Sequence, residues 1–316
     1  MGRILVTGGA GFIGSAFAHY AHAQGYQVII LDNLKSGKAS NFDDLQRRGI
    51  ECVQGDIRDK ETVATVLNGC EYVVHLAAQV SVNESISNPD ETLSINVDGT
   101  QTLVEQCVKQ PIKRFILASS AAVYGNNQNL PLKEVDIGEA LSPYAESKIQ
   151  NEQQIEVLNS SETRAIALRF FNVYGSGQEI NSNYSAVIPT FVKQINEATR
   201  PTIFGNGQQT RDFVHVDDVC KAILSFLEIE VSSIQSSVFN VATQHGTSLL
   251  TLIDTINTIL IEKMEIRAIS PQFSDSRQGD IPHSIGSTER LYAALGWKPT
   301  IQLKDGIKRM IYRGCD

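Results

Sequence analysis

The stretch VTGGAGFIG, residues Val6–Gly14, follows an apolar run and opens a helical pattern of side chains. This order predicts a β-strand, a glycine-rich turn and the N-terminus of a helix. Gly8 would permit the sharp turn, Gly11 would let a pyrophosphate approach the backbone, and Gly14 would let helix and strand pack closely. The unpaired N–H groups and the positive dipole end of such a helix bind phosphates. We therefore expect a dinucleotide-binding turn here.

A second apolar run, Val28–Leu31, ends in Asp32, eighteen residues after Gly14. A carboxylate at this position can accept hydrogen bonds from both hydroxyls of an adenosine ribose. Because the same carboxylate repels a 2′-phosphate, the sequence favours NAD over NADP. A glycine-rich turn alone would be weak evidence for a dinucleotide, and the acid at the right distance strengthens it.

Composition narrows the classes of protein that the chain can belong to. The chain has 316 residues, of which 42% are apolar and 20% charged, enough for a large core with a smaller appended lobe. Its apolar runs are shorter than the roughly 20 residues that span a bilayer, and it begins without a signal-peptide pattern. We therefore expect a cytoplasmic protein with no membrane partner. The net charge of −8 argues against a nucleic-acid partner.

Cysteines and histidines give no sign of a metal site. The five cysteines are scattered without C-x-x-C spacing, which argues against a disulfide framework or a zinc site. The six histidines form no metal-ligand pattern. We expect no metal ion in the functional site, and buried or incidental roles for the thiols.

Strand-like and helix-like segments alternate from residue 2 to about residue 170, which is typical of a parallel sheet with helices on both faces. The predicted fold class is α/β, with a doubly wound parallel (Rossmann) sheet in residues 1–174. Residues 175–316 are predicted to form a smaller C-terminal α/β substrate-binding lobe, with some exchange of chain between the two. The further strands and helices that support this prediction are Glu51–Gln54, Tyr72–Leu76, Phe115–Ala118, Ala165–Leu168, Val238–Val241, Leu249–Ile261 and Thr288–Leu295, the last capped by Gly296.

Small and polar residues follow several of these strands, at the edge where doubly wound sheets bind ligands. Asp56 could accept a hydrogen bond from an adenine amino group, and Ile57 could cover the adenine ring. The small residues of Leu76–Gln79 would let a dinucleotide lie against the backbone. Each feature alone could be a plain strand end, but their shared position indicates a ligand site.

The segment SPYAESK carries the strongest chemical signal after the glycine turn. Pro143 at a helix start places Tyr144 and Lys148 on one helical face. A cation about 4 Å from a phenol, at an effective dielectric near 20, is worth about 4 kcal/mol, or on the order of three pKa units. Lys148 would thereby bring Tyr144 into the range of a general base. Ser120, after the strand at Phe115–Ala118, could bond to the same substrate oxygen.

The motifs TGGAGFIG, LAAQ, SSAAVYG and YAESK, together with Asp32, resemble those of the extended short-chain dehydrogenase/reductase family over essentially the whole chain. Within that family the chain is similar to the nucleotide-sugar 4-epimerases of the UDP-galactose and UDP-N-acetylglucosamine type. The resemblance implies a catalytic trio of Ser120, Tyr144 and Lys148 and a bound NAD. The implied cofactor-binding residues are Gly8, Gly11, Phe12, Ile13, Gly14, Asp32, Asn33, Ser36, Gly37, Asp56, Ile57, Leu76, Ala77, Ala78, Gln79, Asn96, Tyr144, Lys148 and Phe170.

The second half of the chain carries motifs that the resemblance assigns to substrate. RFFNVYG, NYSAVIP, IFGNGQQTRDF and SRQGD match segments that contact the sugar nucleotide, with two arginines on its diphosphate. Guanidinium groups suit this task because their paired donors match phosphate oxygens. The implied substrate-binding residues are Ser81, Ser120, Asn172, Ala186, Val187, Phe204, Arg211, Arg277, Asp280 and Ser284.

The residues after Ser120 favour one reaction over its relatives. Sister enzymes that dehydrate or decarboxylate nucleotide sugars carry acids there, whereas this chain has Ala121 and Ala122. Without an acid or base to protonate a leaving hydroxyl, elimination lacks a catalyst. The expected reaction is oxidation of the sugar at C4, rotation of the 4-keto sugar about its diphosphate, and return of the hydride to the other face.

The sugar is predicted from Ser284. In related epimerases a large residue there excludes an N-acetyl group and a small one admits it, so UDP-N-acetylglucosamine and UDP-N-acetylgalactosamine are favoured, with UDP-glucose and UDP-galactose as a possible second pair. Val80 stands where the galactose enzymes often carry a lysine.

The alternative functions are a 4-epimerase or reductase for dTDP- or GDP-linked deoxysugars, a dehydrogenase that releases NADH, and a non-catalytic NAD-binding regulatory protein.

Assembly is predicted from two helix-like segments, Glu91–Gln110 and Tyr144–Leu158. By the resemblance they would pair with a second copy as a four-helix homodimer bundle. The candidate apolar contacts are Ile95, Leu103, Val104, Ile149, Ile155 and Leu158, although packing in the protein's own core would explain them equally well.

Overall fold

The computed structural model describes residues 2–160, 162–178, 186–230, 236–264, 267–276 and 281–313. Its strands are β1 Arg3–Thr7, β2 Gln27–Asp32, β3 Glu51–Gln54, β4 Tyr72–His75, β5 Arg114–Ser120, β6 Arg164–Phe170, β7 Asn172–Tyr174, β8 Thr202–Phe204, β9 Thr210–His215, β10 Val238–Val241, β11 Gly246–Ser248, β12 Gln272–Ser274 and β13 His283–Ser284. Its α-helices are α1 Phe12–Ala23, α2 Ala39–Arg47, α3 Lys60–Leu67, α4 Val82–Ser87, α5 Pro89–Leu93, α6 Gly99–Cys107, α7 Pro143–Gln154, α8 Val187–Asn196, α9 Val216–Glu228, α10 Leu249–Met264, α11 Glu289–Leu295 and α12 Leu303–Arg313.

Seven strands form one parallel sheet in the order β3-β2-β1-β4-β5-β6-β10. The reversal of strand order beside β1 makes the sheet doubly wound, which confirms the predicted fold class. β10 lies beyond residue 174 in the sequence and pairs with β6, so the chain returns to the first sheet after it has left it. The predicted division at residue 174 stays a prediction.

The strands read as continuous apolar runs because both faces of the sheet are buried. Ile4 and Val6 pack on one face with α1 and α9, whereas Leu5 packs on the other face with α3 and α6. All three side chains are fully buried. The two helical layers therefore fix the sheet from both sides and leave its carboxyl edge for the site.

The second half of the chain builds a smaller unit with its own core. β9 pairs with β7, β11 and β13, and β8 pairs with β12. Helices α8, α10 and α12 contribute buried side chains such as Phe191, Ile256 and Ile307 to this core. The predicted helix at 249–261 is confirmed as α10. α11 ends at Gly296, whose φ of +64° gives it the left-handed conformation expected of a C-cap.

The two helix-like segments predicted to mediate assembly are present. α5, a π-helical turn at Ser94–Asp98, and α6 form one continuous segment, and α7 continues into a 3₁₀ turn. Five of the six apolar residues proposed as contacts between copies are buried within this chain, and the sixth, Ile149, packs partly buried against another internal cluster. The five buried residues serve the protein's own core, and assembly through these helices stays a prediction.

No helix in the described ranges is long and apolar enough to cross a membrane. Among the same residues no group of three or more His, Cys, Asp or Glu side chains could hold a metal ion. Cys52, Cys70, Cys107 and Cys220 are free thiols, and Cys315 lies outside the described residues.

Candidate active site

The glycine turn between β1 and α1 has the shape that a dinucleotide requires. Gly8 has a φ of +69°, and its N–H donates to the Leu31 carbonyl at 2.8 Å. A Cβ on Gly14 would lie 2.1 Å from the Gly8 oxygen, so only glycine fits there. Gly11 is the N-cap of α1 and no side chain caps the helix. The first-turn N–H groups of Phe12, Ile13 and Gly14 are therefore placed to bind phosphate.

Asp32 lies at the end of β2 with its carboxylate turned toward this turn. One oxygen accepts from the Ala10 N–H at 2.9 Å and the other from the Leu34 N–H at 2.8 Å. A Cβ on Gly37 would lie 2.6 Å from the carboxylate, so the loop that carries Asn33, Ser36 and Gly37 folds tightly over it. Each oxygen keeps a further lone pair, which is what a pair of ribose hydroxyls would use.

Asp56, predicted to meet adenine, is held by its own neighbours. Arg58 donates to both of its oxygens, at 3.0 and 2.8 Å, and Asn33 donates to one at 3.1 Å. The Arg58 hydrogen bond lowers the pKa of Asp56 to about 2, so the group stays ionised. Ile57 is 5% exposed and packs against Gly99, which leaves it little surface for a ring.

The loop after β4 crosses close to the glycine turn. A Cβ on Gly8 would lie 2.7 Å from the Ala77 nitrogen, which shows how near Leu76, Ala77 and Ala78 pass. Gln79 is 8% exposed, and its Oε1 is buried without a hydrogen-bond partner within the described part of the chain. A buried amide with an unused acceptor at this place suits a polar ligand group.

Asn96 is hydrogen-bonded to the loop that carries Gln79. It is 1% exposed; its Nδ2 donates to the Gln79 carbonyl and to Ser147 Oγ, and its Oδ1 accepts from the Gln79 N–H. Both of its N–H donors are used within the protein. Asn96 therefore positions the Gln79 loop, and its direct contact with cofactor stays a prediction.

Sequence reasoning missed a buried chain of hydrogen bonds through His75. Thr7 Oγ1 accepts from the Ala77 N–H, so it donates to His75 Nδ1 at 2.7 Å. His75 Nε2 then donates to Thr100 Oγ1 at 2.8 Å, and Thr100 donates to the Asn96 carbonyl. Burial lowers the pKa of His75 to about 3, which keeps the ring neutral. This chain fixes the glycine turn, the β4 loop and Asn96 relative to one another.

Ser120, Tyr144 and Lys148 come together at the carboxyl end of β5. α7 begins at Pro143 after the Ser142 cap, which turns Tyr144 and Lys148 inward, to 9% and 4% exposure. The Ser120 hydroxyl lies close enough to the Tyr144 phenol to lower the pKa of that group. The Lys148 ammonium lies 5.8 Å from the centre of the tyrosine ring and donates to the Ala118 carbonyl at 2.9 Å.

The electrostatics of this trio differ from the expectation. Burial raises the pKa of Tyr144, and the Ser120 hydroxyl offsets only part of that rise. Burial also lowers the pKa of Lys148 to about 8. The prediction that Lys148 by itself makes Tyr144 a base near neutral pH is wrong, because the ammonium bonds to a carbonyl and loss of water dominates. A further positive charge is needed to ionise the phenol.

A cavity of about 560 Å³ lies in the second half of the chain. Its wall includes five residues that were predicted to bind substrate: Asn172, Ala186, Val187, Phe204 and Arg211. Asn172 follows Phe170 by two residues, and Phe170 is paired with Ser120 across β5 and β6. One wall residue of the cavity, Asn172, therefore lies two residues beyond the strand position that pairs with Ser120.

Five polar residues of this cavity were missed, among them Gln178 and Thr202. Thr190 and Gln194 line it from α8, and Gln209 lines it from the loop before β9. Val187, Thr190 and Gln194 recur at helical spacing on one face, a signal that was present in the sequence. Gln194 Oε1 is buried and has no hydrogen-bond partner among the described residues.

Ser284 lies beside Arg211, because β13 pairs with β9 in that register. The buried Asp212 carboxylate stabilises this arrangement by accepting from the N–H groups of Thr243, Gln244 and Gly286. Ser284 is half-buried, so a larger side chain there would meet the face on which Arg211 lies.

Of the other residues predicted to contact substrate, Ser81 also caps a helix, and two lie outside the described residues. The Ser81 hydroxyl oxygen caps α4 by accepting from the Glu84 N–H at 3.2 Å. Its proton could still donate to a substrate oxygen. Val80 is 65% exposed. Arg277 and Asp280 lie outside the described residues.

The sequence matches the family model described as the NAD dependent epimerase/dehydratase family over residues 4–242. A protein of Methanocaldococcus jannaschii, provisionally named a UDP-glucose 4-epimerase, is 39% identical over 312 residues, which cover 98% of this chain and 97% of that protein.

Two solved structures are similar over nearly the whole chain. The UDP-glucose 4-epimerase of Thermotoga maritima with UDP-glucose superimposes with a TM-score of 0.90 at 32% identity, covering 99% of this chain and 100% of that one. The UDP-N-acetylglucosamine 4-epimerase of Methanobrevibacter ruminantium M1, in complex with UDP-N-acetylmuramic acid, also gives 0.90 at 32% identity, covering 99% and 98%.

We predict that Gly14→Ala lowers the affinity for NAD by about 10- to 100-fold, because the added methyl group overlaps the Gly8 carbonyl. Calorimetric titration of cofactor-free protein measures the effect. Ser15→Ala, on the same helical turn, is the matched control and should bind like the parent. A folded Gly14→Ala protein with unchanged affinity would contradict the assignment of this turn.

Proposed function

Because this chain belongs to the NAD dependent epimerase/dehydratase family, we propose that it inverts C4 of a nucleotide sugar, with UDP-N-acetylglucosamine and UDP-N-acetylgalactosamine as its preferred pair. The observation that carries the proposal is the meeting of Ser120, Tyr144 and Lys148 at one strand end, beside a cavity lined by Asn172 and Arg211. The glycine turn, the Asp32 carboxylate and the free Gln79 oxygen fit NAD.

Tyr144 is the proposed general base and acid. A hydrogen bond donated by the nearby Ser120 hydroxyl to the phenolic oxygen would favour its ionised form. Lys148, as an ammonium ion, adds to this stabilisation. When bound, NAD supplies the hydride acceptor and a positive ring. Tyr144 takes the proton of the sugar 4-hydroxyl and later returns it to the same oxygen.

The surroundings of Ser120 favour epimerisation over elimination. Ala121 and Ala122 form a 3₁₀ turn directly after β5, and the Ala122 N–H donates to Ser120 Oγ at 3.1 Å. Neither residue can protonate a leaving hydroxyl. Oxidation followed by reduction on the other face would need bound NAD as the hydride acceptor and Tyr144 as base and acid, and no further acid or base.

The sugar and nucleotide are proposed from the second half of the site. Arg211 suits a diphosphate, since its guanidinium group offers paired donors. Ser284 beside it leaves room for an N-acetyl group. The Methanobrevibacter ruminantium enzyme named for UDP-N-acetylglucosamine supports this choice, and the equally similar Thermotoga maritima enzyme supports UDP-glucose as a second substrate.

The direct test is conversion without added cofactor. We predict that the purified protein converts UDP-N-acetylglucosamine to its galacto epimer, measured by proton NMR, with UDP-glucose and dTDP-glucose in parallel. Tyr144→Phe should lose about 10²- to 10⁴-fold of the rate, because the proton has no acceptor. Conversion of only the dTDP sugar would overturn the substrate choice in favour of a deoxysugar enzyme, and net reduction of added NAD would indicate a dehydrogenase.

Ser284→Tyr separates the two UDP-sugar pairs. We predict that kcat/KM for UDP-N-acetylglucosamine falls about 100-fold, whereas that for UDP-glucose changes little, because the ring fills the space of the N-acetyl group. Ser284→Ala is the control and should leave both values close to those of the parent. Equal losses for both sugars would show that residue 284 does not select the 2-substituent.

We also propose that two copies associate through α5–α6 and α7 as a four-helix bundle. Gln154 already links these helices within one chain, donating to Gln101 Oε1 and to the Val97 carbonyl, and Val108 and Val157 remain 53% exposed. Light scattering should give twice the mass of the chain. Gln150→Glu with Gln153→Glu should shift the protein to a monomer through repulsion, whereas Gln46→Glu on α2 should not. A monomeric parent would refute the assembly.

A further inference from the structure

One ion pair, Arg169 with Glu152, is buried between the sheet and α7. The two side chains are 1% and 8% exposed. Arg169 Nε donates to Glu152 Oε1 at 2.8 Å, and its second terminal nitrogen donates to Oε2 at 2.7 Å. Removing both ions from water is costly, and a well-packed apolar pair would often be at least as stable. The contribution of this ion pair to the stability of the fold is therefore a weak explanation for its presence.

Glu152 joins three elements that carry the site. Ser119 Oγ on β5 donates to Glu152 Oε1 at 2.5 Å, and Ser119 is paired with Arg169 on β6. Ser119 directly precedes Ser120. Through this one carboxylate, the strand that presents Ser120 is tied to the helix that presents Tyr144.

Glu152 also lies one helical turn beyond Lys148, on the same face of α7. Around Lys148 the titratable groups are Tyr144 and Glu152 on its own helix, His75 on β4 and, behind Glu152, Arg169 on β6. His75 is neutral. Glu152 is thus the one negative charge among these groups, and its field opposes the effect of burial on the pKa of Lys148.

We propose that Glu152 is a positioning residue of the reaction site: it fixes the Ser120 strand against the Tyr144 helix and keeps the Lys148 side chain in its charged form. The inference rests on the proposed function in one respect: the charge on Lys148 affects the reaction rate only if Tyr144 is the base of the proposed reaction. Without Glu152, the pKa of Lys148 would fall further below its ordinary value, and the phenol of Tyr144 would lose part of its nearby positive charge.

Glu152→Gln tests this inference in the NAD-loaded protein by ultraviolet titration of tyrosinate. Each titration is paired with the same protein carrying Tyr144→Phe, and the difference isolates Tyr144. We expect the midpoint of Tyr144 to rise by about one pH unit. In the kcat–pH profile, the alkaline limb, where Lys148 loses its proton, should move to lower pH. Glu156→Gln, an acid one turn further along the chain, should change neither.

The direction of the shift decides between two roles. Loss of a negative charge that acted only on the phenol would lower the midpoint of Tyr144, whereas loss of the charge on Lys148 raises it. A folded Glu152→Gln protein with an unchanged or lowered midpoint would overturn the inference. Because the titration needs no sugar, a parent protein that converts none of the nucleotide sugars would refute the proposed function without deciding this point.

Two further variants keep the test decisive. Should Glu152→Gln fail to fold because Arg169 is left unpaired, Glu152→Gln with Arg169→Met removes both ions and should raise the midpoint in the same direction by a smaller amount. An unchanged midpoint in this double variant would also overturn the inference. Ser119→Ala removes one hydrogen bond and no charge, so the midpoint should stay at the parent value; a rise of one unit there would show that the hydrogen bond, and not the charge, controls Tyr144.

Discussion

The parallel pairing of β5 with β6 is the constraint on which the site depends. It places Ser120 opposite Phe170 and Ser119 opposite Arg169. One residue beyond Phe171, the chain enters β7 at Asn172, where the cavity begins. A shift of one residue in this register would turn every side chain to the other face of the sheet. The three residues of the proposed catalytic trio, the ion pair behind them and the cavity proposed for the sugar nucleotide would then no longer meet.

Burial and charge compete at this strand end. Loss of water raises the pKa of Tyr144 and lowers that of Lys148, so burial alone would make both groups neutral. The Ser120 hydroxyl and the Glu152 carboxylate act against burial, one on each group. A positively charged nicotinamide ring would act in the same sense as Ser120. In the proposed mechanism, Tyr144 would therefore become a competent base when the cofactor is bound.

Local patterns in the sequence were sufficient for the fold class and for much of the dinucleotide site. The spacing of Gly14 and Asp32 in the sequence predicts their places, because the glycine turn and the acid predicted to bind ribose are set by backbone geometry over a short stretch of chain. The hydrogen-bond chain at His75 and the pair of Arg169 with Glu152 could not be found in this way, since their partners meet only after the sheet has formed. The direction of the Tyr144 pKa was missed for a related reason: it depends on how deeply α7 is buried, which no local pattern records.

In the proposed reaction, a hydride leaves C4 of the sugar and returns to the same carbon. The most direct measurement uses the UDP-sugar labelled with deuterium at C4, with the product examined by proton NMR and mass spectrometry. Transient oxidation at C4 predicts a slower reaction and a product that keeps the deuterium at C4. Replacement of that deuterium by solvent hydrogen would contradict it, because it would show that C4 is inverted by proton removal and not by transient oxidation.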